Sequence, residues 1–256
     1  MTQPLFAASD VLSLAMDIGK SMIRCGAEIN RVEETVMRIC RAYGMQRTEV
    51  FSIISVIVAT TRDPAGKEVT LSRRIYSYAT NFRQLEQLNA LSRRLCASPE
   101  DPAAVREELD GINRDPLTLH PTACVGYILG AAAFTVFFGG SWKDALAAAP
   151  IAAILWLISS LVRAHGMGKL FVTALSAATA GFLAIAFVKL GFADSAGMIM
   201  IGDIMVIIPG MMLIHSVREM LCGDLMSGLL RLLESLILSL AIACGFAIPI
   251  LILGGG

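Results

Sequence analysis

The fold class follows from one stretch, SAGMIMIGDIMVIIPGMMLIHSV at Ser195–Val217, whose 23 residues include a single charged side chain, that of Asp203. A helix rises about 1.5 Å per residue, so about 20 apolar residues cross the hydrocarbon core of a bilayer. Lipid offers no hydrogen-bond partners to the backbone, whereas a helix satisfies its own backbone groups. The stretch therefore predicts a membrane-spanning helix.

Four more runs of uncharged or nearly uncharged sequence are long enough to cross a bilayer. Together with Ser195–Val217 they predict an α-helical integral membrane protein with five transmembrane helices. The shortest of the five is the second. The four runs are Pro116–Trp142, Ala145–Val162, Leu170–Val188 and Ser235–Gly256.

Charge divides the chain into two parts. Hydrophobic residues make up 55% of the 256 residues and charged residues 16%. Residues 1–118 hold 15 basic and 15 acidic side chains, whereas residues 119–256 hold six of each. We therefore predict a small cytoplasmic α+β domain at 1–118, which folds in water, followed by a five-helix transmembrane domain at 119–256. The balanced charge gives no basic footprint, so nucleic acid is not expected as a partner.

The first 118 residues show both helical and strand-like patterns. Apolar residues recur every three or four positions over Asp10–Tyr43 and over Asn81–Cys96, which predicts amphipathic helices. Between them, two runs rich in β-branched residues flank the turn RDPAGK at Arg62–Lys67 and predict a β-hairpin. This part contains no histidine to activate a nucleophile, and the six cysteines form no CxxC pair. No metal, cofactor or enzymatic site is predicted.

The basic residues of the predicted loops give an orientation. If the N-terminus is cytoplasmic, four of the six basic residues after position 118 fall in inside loops, as the positive-inside rule requires. We therefore expect a multi-pass protein of the bacterial inner (cytoplasmic) membrane with a cytoplasmic N-terminus and an external C-terminus. The inside residues are Arg163, Lys169, Arg218 and Arg231, and the outside residues are Lys143 and Lys189.

The fourth predicted span contains the candidate binding site. Asp203 lies within apolar sequence, and six residues later Pro209 and Gly210 interrupt the helix, because proline donates no backbone hydrogen bond and displaces the carbonyl of Met205. Broken helices with a buried carboxylate are typical of transport sites. The alternative is that Asp203 only hydrogen-bonds to a neighbouring helix. Weaker candidates for substrate or proton binding are His215, Arg218 and Glu234.

Small residues within the spans predict close helix packing. The clearest examples are the pair Gly126 and Gly130, spaced as GxxxG, and the stretch TALSAATAG that ends at Gly181 in the third span.

Three segments carry a resemblance to a known family. They are GAEINRVEETVMRICRAYGM at Gly26–Met45, RRIYSYATNFRQLEQLNALSRR at Arg73–Arg94, and IIPGMMLIHSVREMLCGDLMSGLLRLLESL at Ile207–Leu236. Together they resemble the threonine/serine exporter family. Long members of that family have about ten spans after a cytoplasmic domain, and split members divide the spans between a larger and a smaller subunit. With five predicted spans, this chain is similar to the larger subunit of the split type, including that of a succinate exporter.

The resemblance implies a function and a partner. We expect a secondary exporter subunit that moves a small carboxylate-bearing metabolite or amino acid, with threonine and serine as the family default, and that works with a smaller membrane subunit. A dicarboxylate such as succinate is the alternative substrate. A membrane-anchored enzyme or sensor would need only one or two spans, so five spans with a Pro-Gly break favour transport.

Overall fold

The structure, a computed structural model, describes residues 6–76, 78–114, 121–164 and 168–253. The chain forms two compact units. The first unit comprises Met1–Asp115 together with His215–Leu230, and the second comprises Pro116–Ile214 together with Arg231–Gly256. The units differ from the predicted domains, 1–118 and 119–256, chiefly in the segment His215–Leu230, which packs with the N-terminal residues.

Two helices form the core of the first unit. They are α1 (Ala8–Arg24) and α2 (Ile29–Ala42), as the apolar spacing predicts, and their buried faces carry side chains such as Leu12 and Val32. The turn between them needs glycine at Gly26, whose φ of +89° lies in the left-handed region. The break within the predicted Asp10–Tyr43 segment therefore has a backbone cause.

A three-stranded antiparallel sheet follows, in the order β1 (Arg47–Ile53), β2 (Val56–Arg62), β3 (Glu68–Arg74). The predicted single hairpin was therefore incomplete. The first β-branched run splits into two strands at Ile54 and Ser55, a turn that contains none of the glycine, proline or asparagine residues that mark turns in a sequence. Phe51 pairs with Val58 in the register of β1 and β2.

Two further helices, α3 (Phe82–Ala97) and α4 (Pro102–Asn113), complete the N-terminal part of the first unit. The side chain of Asn81 accepts the N–H of Gln84 and caps α3, and Asp101 accepts the N–H of Ala103 and caps α4. The helix predicted over Asn81–Cys96 is confirmed.

The remaining helices are apolar. Three of them are long and apolar enough to cross a membrane, and a pair bent by 49° forms a fourth candidate span. The predicted count of five is therefore not reached within the described residues. The helices are α5 (Pro121–Phe137), α6 (Trp142–Ala164), α7 (Lys169–Lys189), α8 (Ala196–Ile207), α9 (Gly210–Leu221) and α10 (Leu225–Leu253); α8 and α9 are the bent pair.

The number of candidate spans is below five because α5 is too short to be counted. The predicted run Pro116–Trp142 is long, but the helix begins at Pro121 and ends at Phe137, before a turn in which Gly139 has a φ of +98°. Its 17 residues extend about 25 Å, less than a full hydrocarbon core. The predicted start at Pro116 lies outside the described residues.

The last predicted span also differs from the observed helix. Helix α10 begins at Leu225, ten residues before the predicted start at Ser235, and runs through Pro249 without ending there. The charges that delimited the predicted run are accommodated inside the helix, because Arg231 is buried and Glu234 forms an ion pair with Lys169 at 3.3 Å. The predicted end at Gly256 lies outside the described residues.

Close helix packing in the second unit occurs at glycines. A Cβ added at Gly202 of α8 would lie 2.7 Å from the carbonyl oxygen of Ala131 in α5, and one added at Gly245 of α10 would lie 2.6 Å from that of Ala174 in α7. Gly181 packs against Pro249. A Cβ at Gly126 would meet no described atom within 4 Å, so the predicted Gly126–Gly130 motif is not where α5 makes its closest approach.

Candidate functional site

The break in the fourth predicted span is defined by three residues. Helix α8 ends at Ile207, Ile208 is extended with φ −63° and ψ 138°, and α9 begins at Gly210. Pro209 has no N–H, and the N–H of Gly210 donates to the carbonyl of Ile208 at 2.8 Å. The carbonyls of Met205 and Val206 therefore lose their usual helical donors, four residues ahead. The break predicted at Pro209 and Gly210 is confirmed.

Asp203 lies in α8 just before this break. Its side chain is fully buried, with 0% exposure, and neither carboxylate oxygen finds a hydrogen-bond donor among the described residues. It is the sole charged residue of Ala196–Ile207. The hydrogen bond to a neighbouring helix, which was the alternative for this residue, is not formed in the described part of the chain. A buried carboxylate in such surroundings is expensive to keep ionised.

Gly202, the residue before Asp203, allows α5 to pack closely against α8. Any side chain at Gly202 would overlap the hydroxyl of Thr135, which is itself fully buried and donates to the carbonyl of Ala131 at 2.8 Å. The contact between α5 and α8 at this level is therefore helix backbone against helix backbone, with little room for rearrangement.

The weaker candidates divide between the two units. His215 and Arg218 belong to the first unit, where the guanidinium of Arg218 lies 2.6 Å from a carboxylate oxygen of Glu28. Glu234 belongs to the second unit and pairs with Lys169. Asp203, Pro209 and Gly210 thus lie together along one segment of eight residues, and the binding roles of all six residues stay predictions.

A buried acid that the sequence reading missed is Asp144, near the start of α6. One of its oxygens accepts the N–H groups of Asp194 and Ser195, both at 2.8 Å, and the other accepts the N–H and the hydroxyl of Ser141 at 2.9 and 3.0 Å. The pattern Ser141-x-x-Asp144 is a capping box with aspartate in place of the usual glutamate or glutamine. The sequence could therefore have indicated the hydrogen bonds between Ser141 and Asp144. All its acceptor sites are used, so Asp144 ties together the loops that precede α6 and α8.

No group of three or more His, Cys, Asp or Glu side chains within the described ranges could hold a metal ion. Of the four carboxylates described above, Glu28 and Glu234 are in ion pairs and Asp144 accepts hydrogen bonds, whereas Asp203 has no hydrogen-bond donor among the described residues.

Comparison with known proteins gives a consistent picture. A family model described as "Putative threonine/serine exporter" matches residues 13–253. The threonine/serine exporter of Corynebacterium glutamicum is 24% identical over 250 residues, which cover 94% of this chain and 50% of that protein. A Mycobacterium tuberculosis protein named "Probable threonine/serine exporter" is 23% identical over 248 residues, covering 94% and 46%. The chain therefore spans about half the length of these relatives. No solved structure matches it.

Proposed function

This chain belongs to the threonine/serine exporter family, and from that membership we propose that it is the larger membrane subunit of a secondary exporter for small carboxylate-bearing metabolites. The family and the curated relatives are transporters, so the chain is a multi-pass membrane transport protein and not an enzyme. The names of the relatives favour threonine and serine as substrates. Succinate is the alternative, carried by the resemblance to split exporters.

One observation carries the proposed mechanism, namely the buried Asp203 without a donor among the described residues, one and a half turns before a helix break. A carboxylate in this position is stable when protonated and costly when ionised. A residue that takes up and releases one proton as access alternates between the two sides is what a proton-coupled exporter needs. We therefore assign the coupling proton to Asp203.

The break supports a substrate site next to this carboxylate. The carbonyls of Met205 and Val206 lack their helical donors, so they can accept a hydrogen bond from another group. An ammonium group is one such donor. The next N–H groups of α9, those of Met211 and Met212, have no carbonyl of α9 four residues back and can donate to an anionic group in the way that helix N-termini do. An amino acid has both charges, so its two ends match the two sides of the break.

The contacts between helix ends support five membrane crossings despite the short α5. Asp144, at the start of α6, accepts N–H groups of the loop before α8. The ammonium of Lys189 at the end of α7 donates to the carbonyl of Leu253 at the end of α10, at 2.8 Å. Lys169 and Glu234 join the opposite ends of α7 and α10. These contacts fit helices that alternate in direction, and with the basic loops they favour a cytoplasmic N-terminus in the bacterial inner membrane.

We also propose a smaller membrane subunit as partner, on the resemblance to the split members of the family. This chain spans about half the length of each curated relative. In this proposal the two chains form the pathway as a hetero-oligomer.

Efflux from cells tests this function. Cells expressing this chain with a smaller membrane protein encoded beside it are loaded with labelled serine, threonine or succinate, and efflux is followed against cells expressing either chain alone. We expect export only from the pair. Export of the same substrate by this chain alone in liposomes would contradict the partner, and absence of export of all three compounds by the pair would contradict the substrate class.

A further inference from the structure

The three-stranded sheet of the first unit has two outer edges, which differ in how their backbone groups are used. An outer strand has N–H and C=O groups that no neighbouring strand pairs, and another strand can add to them. On the β1 side, the N–H of Ser52 donates to the carboxylate of Glu33 in α2 at 2.6 Å. Helix α2 therefore takes up part of the β1 edge.

On the other side, β3 faces outward at every second residue. The N–H of Asp63 donates to the carbonyl of Lys67 at 3.0 Å, and the N–H of Ile75 donates to the carbonyl of Ser55 at 2.9 Å. Hydrogen-bonded positions alternate along an antiparallel pair, so the odd-numbered residues of β3 bond to β2. The even-numbered residues turn their N–H and C=O groups outward, and all of them are exposed: Glu68, Thr70, Ser72 and Arg74.

These outward groups are open to a further strand. Within the described part of the chain, a side chain reaches this edge where the guanidinium of Arg73 donates to the carbonyl of Ser72 at 3.2 Å, and that carbonyl can accept a second hydrogen bond. No helix of the described residues places an acid on the N–H groups of this edge, as Glu33 does on that of β1. The β3 edge is therefore the unprotected one.

The sequence of β3 is complementary to a second copy of itself. When two β3 strands pair antiparallel about Leu71, Glu68 of each chain lies opposite Arg74 of the other, and Thr70 lies opposite Ser72. All the outward residues then form hydrogen-bonded pairs, which gives about eight backbone hydrogen bonds. Opposite charges across two strands attract each other, and facing hydroxyl groups can exchange a hydrogen bond.

Neighbouring registers lose this complementarity. Centring the pair on Thr70 places Glu68 opposite Ser72 and carries Arg74 beyond the strand, and centring it on Ser72 carries Glu68 beyond the strand instead. Arg74 forms no ion pair among the described residues, whereas Glu68 has only an exposed one, with Arg62. The charges at the two ends of β3 thus favour the register about Leu71.

The opposite face of β3 tolerates the same pairing. Leu71 would meet its own copy there, and both side chains are apolar and half-buried. Arg73 would lie beside Val69 of the second copy, but its guanidinium is held by Asp17 of α1, with Nε 2.7 Å from a carboxylate oxygen. The pairing therefore brings no unbalanced charge to this face.

We propose that two copies of this chain associate edge to edge through β3, in the antiparallel register centred on Leu71. The two three-stranded sheets then form one continuous sheet about a two-fold axis. The interface uses residues of the first unit alone, and it is independent of the substrate that the protein transports.

Disulfide cross-linking of the full chain in detergent tests the register. Leu71 and its copy would form a non-hydrogen-bonded pair with Cα atoms about 4.5 Å apart, within reach of a disulfide. In a chain whose exposed Cys222 and Cys244 are replaced by serine, we expect Leu71→Cys to give about tenfold more oxidised dimer than either control. The controls are Val69→Cys in the same strand and Val50→Cys in β1, which are half-buried like Leu71.

A second pair of variants keeps the test valid if Leu71→Cys does not fold. Thr70→Cys and Ser72→Cys change exposed positions that face each other in the proposed register, with Cα atoms about 5.5 Å apart. Two differently tagged chains, one with each substitution, are mixed and oxidised. We expect the mixed dimer to exceed the dimer of either variant with itself.

Charge reversal tests the contacts at the ends of the strand. We expect Glu68→Arg and Arg74→Glu each to raise the dissociation constant of the dimer about tenfold, because each change replaces two attractive pairs by two repulsive ones. The double reversal should restore association. The control is Glu49→Arg, which removes an exposed pair with Arg47 in β1 and should associate like the wild type, as read by light scattering on dilution.

Three results would overturn the proposal. One is equal cross-linking of the chain at Leu71, Val69 and Val50. Another is the absence of a cross-link both at Leu71 and in the mixture of Thr70 and Ser72 variants, which includes the case in which another protein occupies the edge. The third is a double reversal that associates no better than the single ones.

Discussion

The carboxylate of Asp144 accepts the backbone N–H of Ser195 at 2.8 Å, so an acid at the start of α6 caps the loop that leads into α8. We predict that Asp144→Ala lowers the free energy of unfolding by about 2–4 kcal/mol, because buried N–H groups lose their acceptor. The measurement is thermal or denaturant unfolding in detergent. The control is Asp194→Asn, which alters the exposed acid of the same cluster and should change stability little.

The close approach of α5 and α8 makes a second prediction. Gly202→Ala should reduce the amount of folded protein recovered from membranes and lower its thermal midpoint, because the added methyl group meets the Ala131 carbonyl and the Thr135 side chain. Gly126→Ala, in open space on α5, should be tolerated. A Gly202→Ala protein as stable as Gly126→Ala would contradict the described packing.

Thiol reactivity tests the core of the first unit. Burial raises the pKa of Cys25 and of Cys40 to about 11, so at pH 8 about one thiol in a thousand is a thiolate. We predict that iodoacetamide at this pH modifies the exposed Cys222 and leaves both buried thiols intact, as read by mass spectrometry of the folded protein. Alkylation of Cys25 or Cys40 at the rate of Cys222 would show that the α1–α2 core opens.

Glu33 gives the first unit a dependence on pH. Burial raises the pKa of its carboxyl, the hydrogen bond from the Ser52 N–H opposes this rise, and the charge of Asp224 raises the pKa further. A group whose pKa is raised on folding stabilises the fold below its unfolded pKa and loses that contribution as the pH rises through the folded pKa. We predict that the free energy of unfolding of the wild type falls as the pH rises through the folded pKa of Glu33. For Glu33→Gln, which keeps an acceptor for Ser52, this free energy should fall less. Parallel pH curves for the two proteins would contradict the assignment.

Much of this fold could be read from local sequence. The helices α1 and α2 follow from apolar spacing, and the break after Ile207 follows from covalent geometry, because proline cannot donate to Met205 wherever the chain lies. The strand turn at Ile54 and Ser55 was missed because neither glycine, proline nor asparagine marks it. The early start of α10 was missed because charges inside a helix look like its ends until Glu234 is seen beside Lys169.

The candidate site could be predicted from the sequence only in part, because some of its residues have partners far along the chain. A carboxylate within an apolar run is visible in the sequence, so Asp203 could be selected before its burial was known. The partners of Arg218 and Asp144 lie far along the chain, in Glu28 and Ser195, and pairing over such distances depends on how the units fold. Arg218 was therefore predicted as a binding residue, and its described contact is an ion pair.

The central claim is that Asp203 carries the coupling proton, and Asp203→Asn tests it most directly. The amide keeps the size of the side chain but cannot release a proton, so the protein should insert and fold like the wild type. With the partner subunit present, efflux is measured across imposed pH gradients, with Asp194→Asn as a matched exchange at an exposed acid. We predict that Asp203→Asn abolishes pH-driven efflux while Asp194→Asn retains it. Export by Asp203→Asn at the wild-type rate and with the wild-type pH dependence would contradict the account.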